Sequence, residues 1–459
     1  MSEHGLNTSE QIERVLARAA ELHVSHAHLG WFDANGVLRT KRYAARHLRK
    51  ALTEGVPFLA VPSGIGPDNE IVPTNSYLNP ERGYGNGQVQ VDAAAVREVP
   101  FADPAGQLLL IGQFRPPDDA DCVRSRLAAE LERLQALGLE AFGGFEMEGA
   151  MLLENEQSLR TRQADNVQVM QAYNNTFSFV EQVDDGDFLD ELLNACERMD
   201  IAVDTLHPEY LGMLEVALAP TAGMRIADNA ALYRAVAKLA GRRHDRLVSF
   251  MARRHGEQQG CGAHLNLSLR SVAGQEGVFY DPAGPHCLSI VAHQFIAGLI
   301  RYLPELFLLL APNLNSYKRF RPNLFTPLSN TWGLDNKTVA FRALNTGPAT
   351  ARVEVRFAGA DLCPHLGVAA VLAAGRRGIE QGLQPPNPIT GSGWDIQDAP
   401  GEGFPLDFHS AINRLDESEF AREAFGEGFV DNYVGDRRWQ LEQFAQVVTD
   451  WEIRMFGNL

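Results

Sequence analysis

An α+β fold is what the hydrophobic patterning of this chain predicts, and three observations carry it. Strand and turn signals dominate as far as Phe114, and Arg115-Pro116-Pro117-Asp118-Asp119 then reads as a linker. Beyond the linker, stretches of two-residue alternation are interleaved with stretches of three- and four-residue apolar spacing. The resulting pattern is α+β, not an alternating parallel barrel. It divides the chain into residues 1–115 and 116–459.

In order, residues 9–22 predict a capped amphipathic helix, with Glu13 completing a capping box from an early Thr/Ser cap. Apolar alternation over 30–41, a glycine-rich loop over 63–68 and a strand over 107–113 follow. Residues 123–137 read as a helix closed by Gly138. Further helices are predicted over 188–199, 227–253 and 365–380, and an amphipathic one over 439–455. The most apolar stretch, 287–314, is broken by His293, Arg301, Pro304 and Glu305. It therefore predicts a buried helix and a turn, not a membrane span.

Composition narrows the function classes. The 459 residues are enough for two or three domains around a large core. A net charge of −17 argues against a nucleic-acid surface, which needs an excess of Lys and Arg. Five cysteines, an odd number with no Cys-x-x-Cys pair, fit a reduced cytoplasmic protein better than a disulfide framework. The start lacks the apolar run of a signal peptide, so neither a membrane nor a secretory route is expected.

Chemistry concentrates in four strand-like segments. Side chains two apart on a strand share a face. Glu146 and Glu148 therefore aim together while Met147 turns away. His264, Asn266 and Ser268 form a polar row over Leu265, Leu267 and Leu269, and Arg352, Glu354 and Arg356 a cation–anion–cation row backed by Val353 and Val355. His207-Pro208-Glu209 with Glu215 completes the set. Each has a plainer reading alone: a solvated edge strand, a structural histidine, a surface ion-pair ladder. Together, five glutamates and a histidine suit two hard divalent ions, and the arginines suit anions beside them. That combination reads as metal-assisted phosphoryl transfer.

Several segments resemble the glutamine synthetase family, over nearly the whole chain. They are Asn315-Ser316-Tyr317-Lys318-Arg319, Asp335-Asn336-Lys337-Thr338 with Arg342, Arg352-Val353-Glu354-Val355-Arg356, Gly359-Ala360-Asp361, Cys363-Pro364-His365-Leu366 and Ala373-Ala374-Gly375. The segment from Trp31 to Lys41 resembles the family's opening hairpin. Around Asp335–Arg342 the pattern is closer to γ-glutamylpolyamine and related γ-glutamylamide synthetases. The resemblance implies an N-terminal β-grasp domain, a large catalytic domain, and a ring-shaped homo-oligomer (decamer or dodecamer) with active sites between subunits. It also implies ATP and two or more Mg²⁺ or Mn²⁺ ions. Glu148, Glu209 and Glu215 would hold one ion; Glu146, His264 and Glu354 would hold the second. Arg319 and Arg356 would bind L-glutamate beside Gln259 and Gly260. Arg342, Arg352, Asn266 and Ser268 would face the nucleotide, with Arg342, Lys337 and Arg319 serving catalysis.

The departures point to the nitrogen donor. Phe325 stands where ammonia-using members carry a glutamate, and 58–65 has no acid where they carry an aspartate. Losing two anions weakens a site for a small cation, while an aromatic ring suits a carbon-bearing amine. Gly149, in place of an aromatic, would add room. The expected activity is ATP-dependent joining of the glutamate γ-carboxylate to an amine through a γ-glutamyl phosphate. The alternatives are an ammonia-using glutamine synthetase and a catalytically weak structural or sensing relative. Gln259 for Asn, Lys337 for Arg, Asn266 for His and a shortened Glu209–Glu215 segment keep the latter in view.

Overall fold

Strands as far as Phe114 build one five-stranded sheet. The computed structural model describes residues 7–60, 63–73, 75–76, 79–102, 106–119, 121–161, 167–171, 175–256, 258–322, 324–395 and 403–459. The first sheet comprises β1 (His26–Phe32), β2 (Leu38–Ala44), β3 (Val56–Leu59), β4 (Asn86–Glu98) and β5 (Leu108–Phe114), in the order β2-β1-β5-β4-β3. The β1–β5 pair is parallel and the rest antiparallel. Its core combines Ile12, Val15 and Ala19 of the helix Ser9–Glu21 with Leu48 and Leu52 of a short helix, Leu48–Glu54, that alternation did not announce. The capping box differs from expectation. Thr8 caps the first helix and Gln11 closes the box, while Glu13 lies two residues too far along and pairs with Arg49 at 2.6 Å.

The second sheet is larger and holds the candidate site. It comprises β6 (Leu139–Leu152), β7 (Val203–Pro208), β8 (Met213–Leu218), β9 (Thr221–Ala222), β10 (Leu247–Ser249), β11 (Ala263–Ser271), β12 (Trp332–Leu334), β13 (Phe341–Leu344) and β14 (Arg352–Val355). The main path is β12-β13-β14-β11-β6-β8-β7, with β9 and β10 also paired to β6. Only the β12–β13 pair among these is parallel, so the expected α+β organisation holds and a parallel barrel does not form. Helices Val123–Ala136 and Arg225–Arg243 pack against β6, and Pro364–Glu380 packs against Val123–Ala136 and Ile290–Tyr302. The last pair approaches closely through Gly298 and Gly378: a Cβ on Gly298 would lie 2.2 Å from the Ala374 carbonyl.

Two predicted helices end early. The segment 227–253 is helical only to Arg243; the backbone turns left-handed at Asp245 and then extends into β10. Apolar spacing carried through Leu247-Val248 there, although those residues serve a strand. Residues 439–455 are two helices, Glu427–Ala445 and Asp450–Phe456, the second started by a Thr449–Glu452 capping box. All five cysteines are free. No helix among the described residues is long and apolar enough to cross a membrane. A buried polar nest ties the N-terminal loop to the helix Glu427–Ala445. Asp121 accepts from Ser63 and from Asn432 Nδ2 (2.7 Å), and Asp436 accepts from the Gly64 amide (3.2 Å).

Candidate active site

Strand register places the acidic side chains. On β6, Glu146 lies opposite His264 of β11, and Glu148 opposite Glu215 of β8. Glu215 in turn faces His207 of β7, and Glu354 of β14 faces Asn266 on one side and Arg342 of β13 on the other. Met147 between the two glutamates is fully buried on the opposite face, as alternation requires. The short turn after β7 keeps Glu209 in reach: Leu211 and Gly212 both take left-handed φ, and the Glu209 amide donates to the Met213 carbonyl at 2.7 Å. The shortened segment thus still returns both glutamates to one place.

The donor atoms form two overlapping groups. Glu146, Glu215 and His264 each offer a ligand atom within 4.8 Å of the others, and so do His207, Glu209 and Glu215. His264 Nδ1 lies 3.7 Å from Glu146 and 3.6 Å from Glu354, while Nε2 lies 3.8 Å from Glu148. That Nδ1 is buried and has no hydrogen-bond partner among the described residues. Hard oxygen donors beside an unsatisfied imidazole suit a divalent cation. His207, absent from the expected ligands, touches Glu209 at 3.3 Å and Glu215 at 3.4 Å. Glu148 accepts the Gly262 amide at 2.6 Å. Glu354, fully buried, accepts from Arg342 at 2.8 Å and from Arg356.

Electrostatics follow from this crowding. Burial opposes charge on Glu146, but His264 and Asn266 outweigh it and hold the carboxyl low. Burial, followed by repulsion from Glu215, raises Glu209. Hydrogen bonding to Glu215 raises His207 against the opposing effect of burial. Like charges gathered this closely favour a bound cation.

A cavity of about 360 Å³ opens over this face. Its charged floor includes Glu146, Glu148, Glu209, Glu215 and His264, together with Arg319, Lys337, Arg342 and Arg356. Gln259 and Gly260 also line it. Gly260 is needed where it stands, since a Cβ there would come within 2.3 Å of the Ala252 carbonyl and 2.5 Å of Arg319 Cγ. Arg319 is buried, donates to the Phe357 carbonyl at 3.0 Å, and keeps an Nε without a partner among the described residues. A second cavity of about 350 Å³ shares the Glu146 and β11 wall and holds Asn266, Ser268 and Arg352. Asn266 bridges the two, donating to Glu146 at 3.0 Å and accepting from Arg352 at 2.9 Å.

Every residue expected to hold a metal ion, the substrate or the nucleotide therefore lines one of the two cavities, except Glu354, which is buried behind Arg342 and Arg356 of the first. The expected room at Gly149 does not arise. Gly149 lies on the far face from Glu148, and a Cβ there would meet Phe250 at 3.1 Å, so the position opens no space in the site. Of residues 58–65, Val61 and Pro62 lie outside the described residues. Sequence reasoning missed the mouth of the first cavity, formed by Thr176, Phe177, Tyr210, Leu324, Phe325 and Thr326. Only Phe325 of these had been anticipated. Phe177 lies over His207 with ring centroids 4.5 Å apart, and Phe325 meets Trp394 edge-on at 5.4 Å.

The glutamine synthetase catalytic-domain family matches residues 120–456. A glutamate–isopropylamine ligase of Pseudomonas sp is 26% identical over 453 residues, covering 98% of each chain. A γ-glutamylethanolamide synthetase of Streptomyces coelicolor is 29% identical over 451 residues, covering 96% of this chain and 95% of the relative. A solved structure described as a novel glutamine synthase homologue superposes with a TM-score of 0.79 at 25% identity, over 95% of this chain and 98% of that one.

Proposed function

The chain belongs to the glutamine synthetase family, and we propose that within it the protein is an ATP-dependent glutamate–amine ligase producing a γ-glutamylamide. One observation carries the reading: a floor of carboxylates, imidazole and cationic side chains meets a mouth with an aromatic ring, Phe325, in place of an acid. Relatives named for isopropylamine and ethanolamide support it.

A carboxylate has no leaving group until its oxygen is phosphorylated. The γ-phosphoryl group of ATP passes to the glutamate γ-carboxylate. The amine nitrogen then bonds the acyl carbon, the carbon–oxygen bond to phosphate breaks, and the nitrogen gives up a proton. Divalent ions, when bound, neutralise phosphoryl oxygens; Glu146, Glu148, Glu209, Glu215, His264 and Glu354 would hold them, with His207 orienting Glu209 and Glu215. Arg319 and Arg356 grip the carboxylates of glutamate beside Gln259 and Gly260. Arg342 and Lys337 stabilise charge on the transferring group, and Arg352, Asn266 and Ser268 fix the nucleotide from the second cavity. Arg342 is already oriented by Glu354 and Asp335, which spares reorganisation as the reaction proceeds. Residues 1–115 form the β-grasp domain and 116–459 the catalytic domain of a cytoplasmic ring-shaped oligomer.

The test is phosphate release from ATP with Mg²⁺ and L-glutamate, offered ammonium or organic amines. Turnover with an organic amine, and the γ-glutamylamide seen by mass spectrometry, is the expected result. Ammonium as the best donor would make the protein a glutamine synthetase instead, and silence with every donor would remove the ligase reading.

A further inference from the structure

The mouth of the first cavity is built differently from its floor, and the difference bears on which amine is used. Phe177 and Phe325 reach it from segments far apart in the chain, and both hold left-handed backbone, with φ of 61° and 52°. Such a conformation is disfavoured for a bulky L-residue and persists where the surroundings fix it. Here the Phe177 amide donates to the Pro208 carbonyl at 3.0 Å and its ring rests on His207, while Phe325 leans on Trp394. Despite these supports, the two side chains stay 64% and 51% exposed in the single chain. Large rings pinned at a mouth and left open to water are surfaces awaiting an apolar ligand.

Charge on the mouth is as telling. Among the described residues lining the cavity, the carboxylates are Glu146, Glu148, Glu209 and Glu215, all in the strand-borne cluster. Thr176, Phe177, Tyr210, Leu324, Phe325 and Thr326 bring no anion to the rim. A second ammonium on the substrate would find ring faces half open to water, where cation–π attraction is weak, and no carboxylate partner among the described residues of this rim. A hydrocarbon body, by contrast, gains with each methylene it lays against the rings.

Resting on the ligase reading above, we infer that Phe177 and Phe325 together determine specificity, clasping the carbon body of a small apolar monoamine. Diamines and hydroxylated amines are disfavoured. Phe177 is a specificity-determining residue for this reaction, acting on the part of the amine that does not react.

The test uses the full chain with Mg²⁺, ATP and L-glutamate, and measures kcat and KM for methylamine, ethylamine, propylamine, isopropylamine, butylamine, ethanolamine and putrescine. Wild type, Phe177→Ala, Phe325→Ala and the double variant are compared. The expected result is a rise of about fourfold in kcat/KM per added methylene, carried mainly by the amine KM. That slope should flatten in each single variant and vanish in the double one, with the glutamate KM unchanged within twofold. Propylamine should exceed ethanolamine, and butylamine should exceed putrescine. A slope indifferent to both substitutions, or putrescine or ethanolamine as the best donor, would overturn this inference and leave the ligase reading standing. No turnover with any of these amines, at full response to ammonium, would overturn the ligase reading itself.

Discussion

The floor and the mouth of the cavity are made by opposite means. Much of the floor, Glu146, Glu148, Glu215, His264 and Arg342, sits on β6, β8, β11 and β13, where ladder register sets each side chain against its neighbour, while Glu209, Arg319, Lys337 and Arg356 lie just outside the strands. Mouth residues sit on loops, two of them in a backbone conformation that regular structure does not supply. The floor is charged and most of it is buried or half-buried, whereas the mouth presents two exposed phenylalanines, Phe177 and Phe325, among uncharged neighbours. Phosphoryl chemistry needs charges fixed in advance, since reorganising them during reaction is costly. Choosing an amine needs only a surface of suitable shape and polarity. On the proposed reading, rate belongs to the floor and selectivity to the loops at the mouth.

The comparison breaks most simply at the donor atoms. Chelating divalent ions should abolish phosphate release, and restoring Mg²⁺ or Mn²⁺ to ~100 times its dissociation constant should stabilise the fold by about 2.7 kcal/mol, read as a rise in Tm. Next in size is Glu354→Gln, which leaves Arg342 and Arg356 facing a neutral amide. Breaking such a buried pair costs about 3–5 kcal/mol, so phosphate release should fall by at least about 100-fold, with a lower melting temperature. A rate within threefold of wild type would detach the floor from catalysis. Arg342→Lys keeps the charge but loses the fork that spans Glu354 and Asp335. A drop of about tenfold in kcat is expected, with the amine KM unmoved.

At the mouth, Phe325→Glu should move the ratio of ammonium to alkylamine turnover by about tenfold towards ammonium, which is what one unit of charge stabilisation provides. An unchanged ratio would return selectivity to the floor. The smallest effect on rate belongs to Asp121, which is buried and lines neither cavity. Burial, against the hydrogen bonds of Ser63 and Asn432, lifts its carboxyl to about 7, and burial lifts that of Asp436 to about 6. Both lie above the unfolded value, so the folded chain holds these protons longer, and stability declines as pH climbs through that range. Asp121→Asn should reduce the loss in urea midpoint between pH 5 and pH 8 while leaving turnover at fixed pH unchanged.

The floor was legible in the sequence because its rule is simple. Glu146 and Glu148, or His264, Asn266 and Ser268, announce a shared face by spacing alone, and ladder geometry then converts spacing into contact. His207 escaped because nothing in one strand tells which strand will lie beside it; only the β7–β8 register brings it to Glu215. Phe177 and Tyr210 escaped for a deeper reason. They lie in turns, where no periodicity operates, and their neighbours in space are distant in the chain. Apolar spacing over 227–253 and 439–455 continues past the helix ends, whereas a left-handed turn at Asp245 ends the first and a fresh N-cap at Thr449 divides the second. Gly149 misled because a missing side chain signals room without saying on which face.

Strand β6 pairs with β8, β9, β10 and β11, and this has a consequence for how such a protein can change over time. A slip of one residue would turn Glu146 and Glu148 into the apolar core together and present Met147 in their place. An insertion within β6 would therefore end folding and activity at one stroke. Loops bearing Phe177 and Phe325 carry no such penalty, because no ladder passes through them. Lineages built on this sheet are free to explore new amines by exchanging turns, while the acidic ladder beneath is inherited whole or not at all.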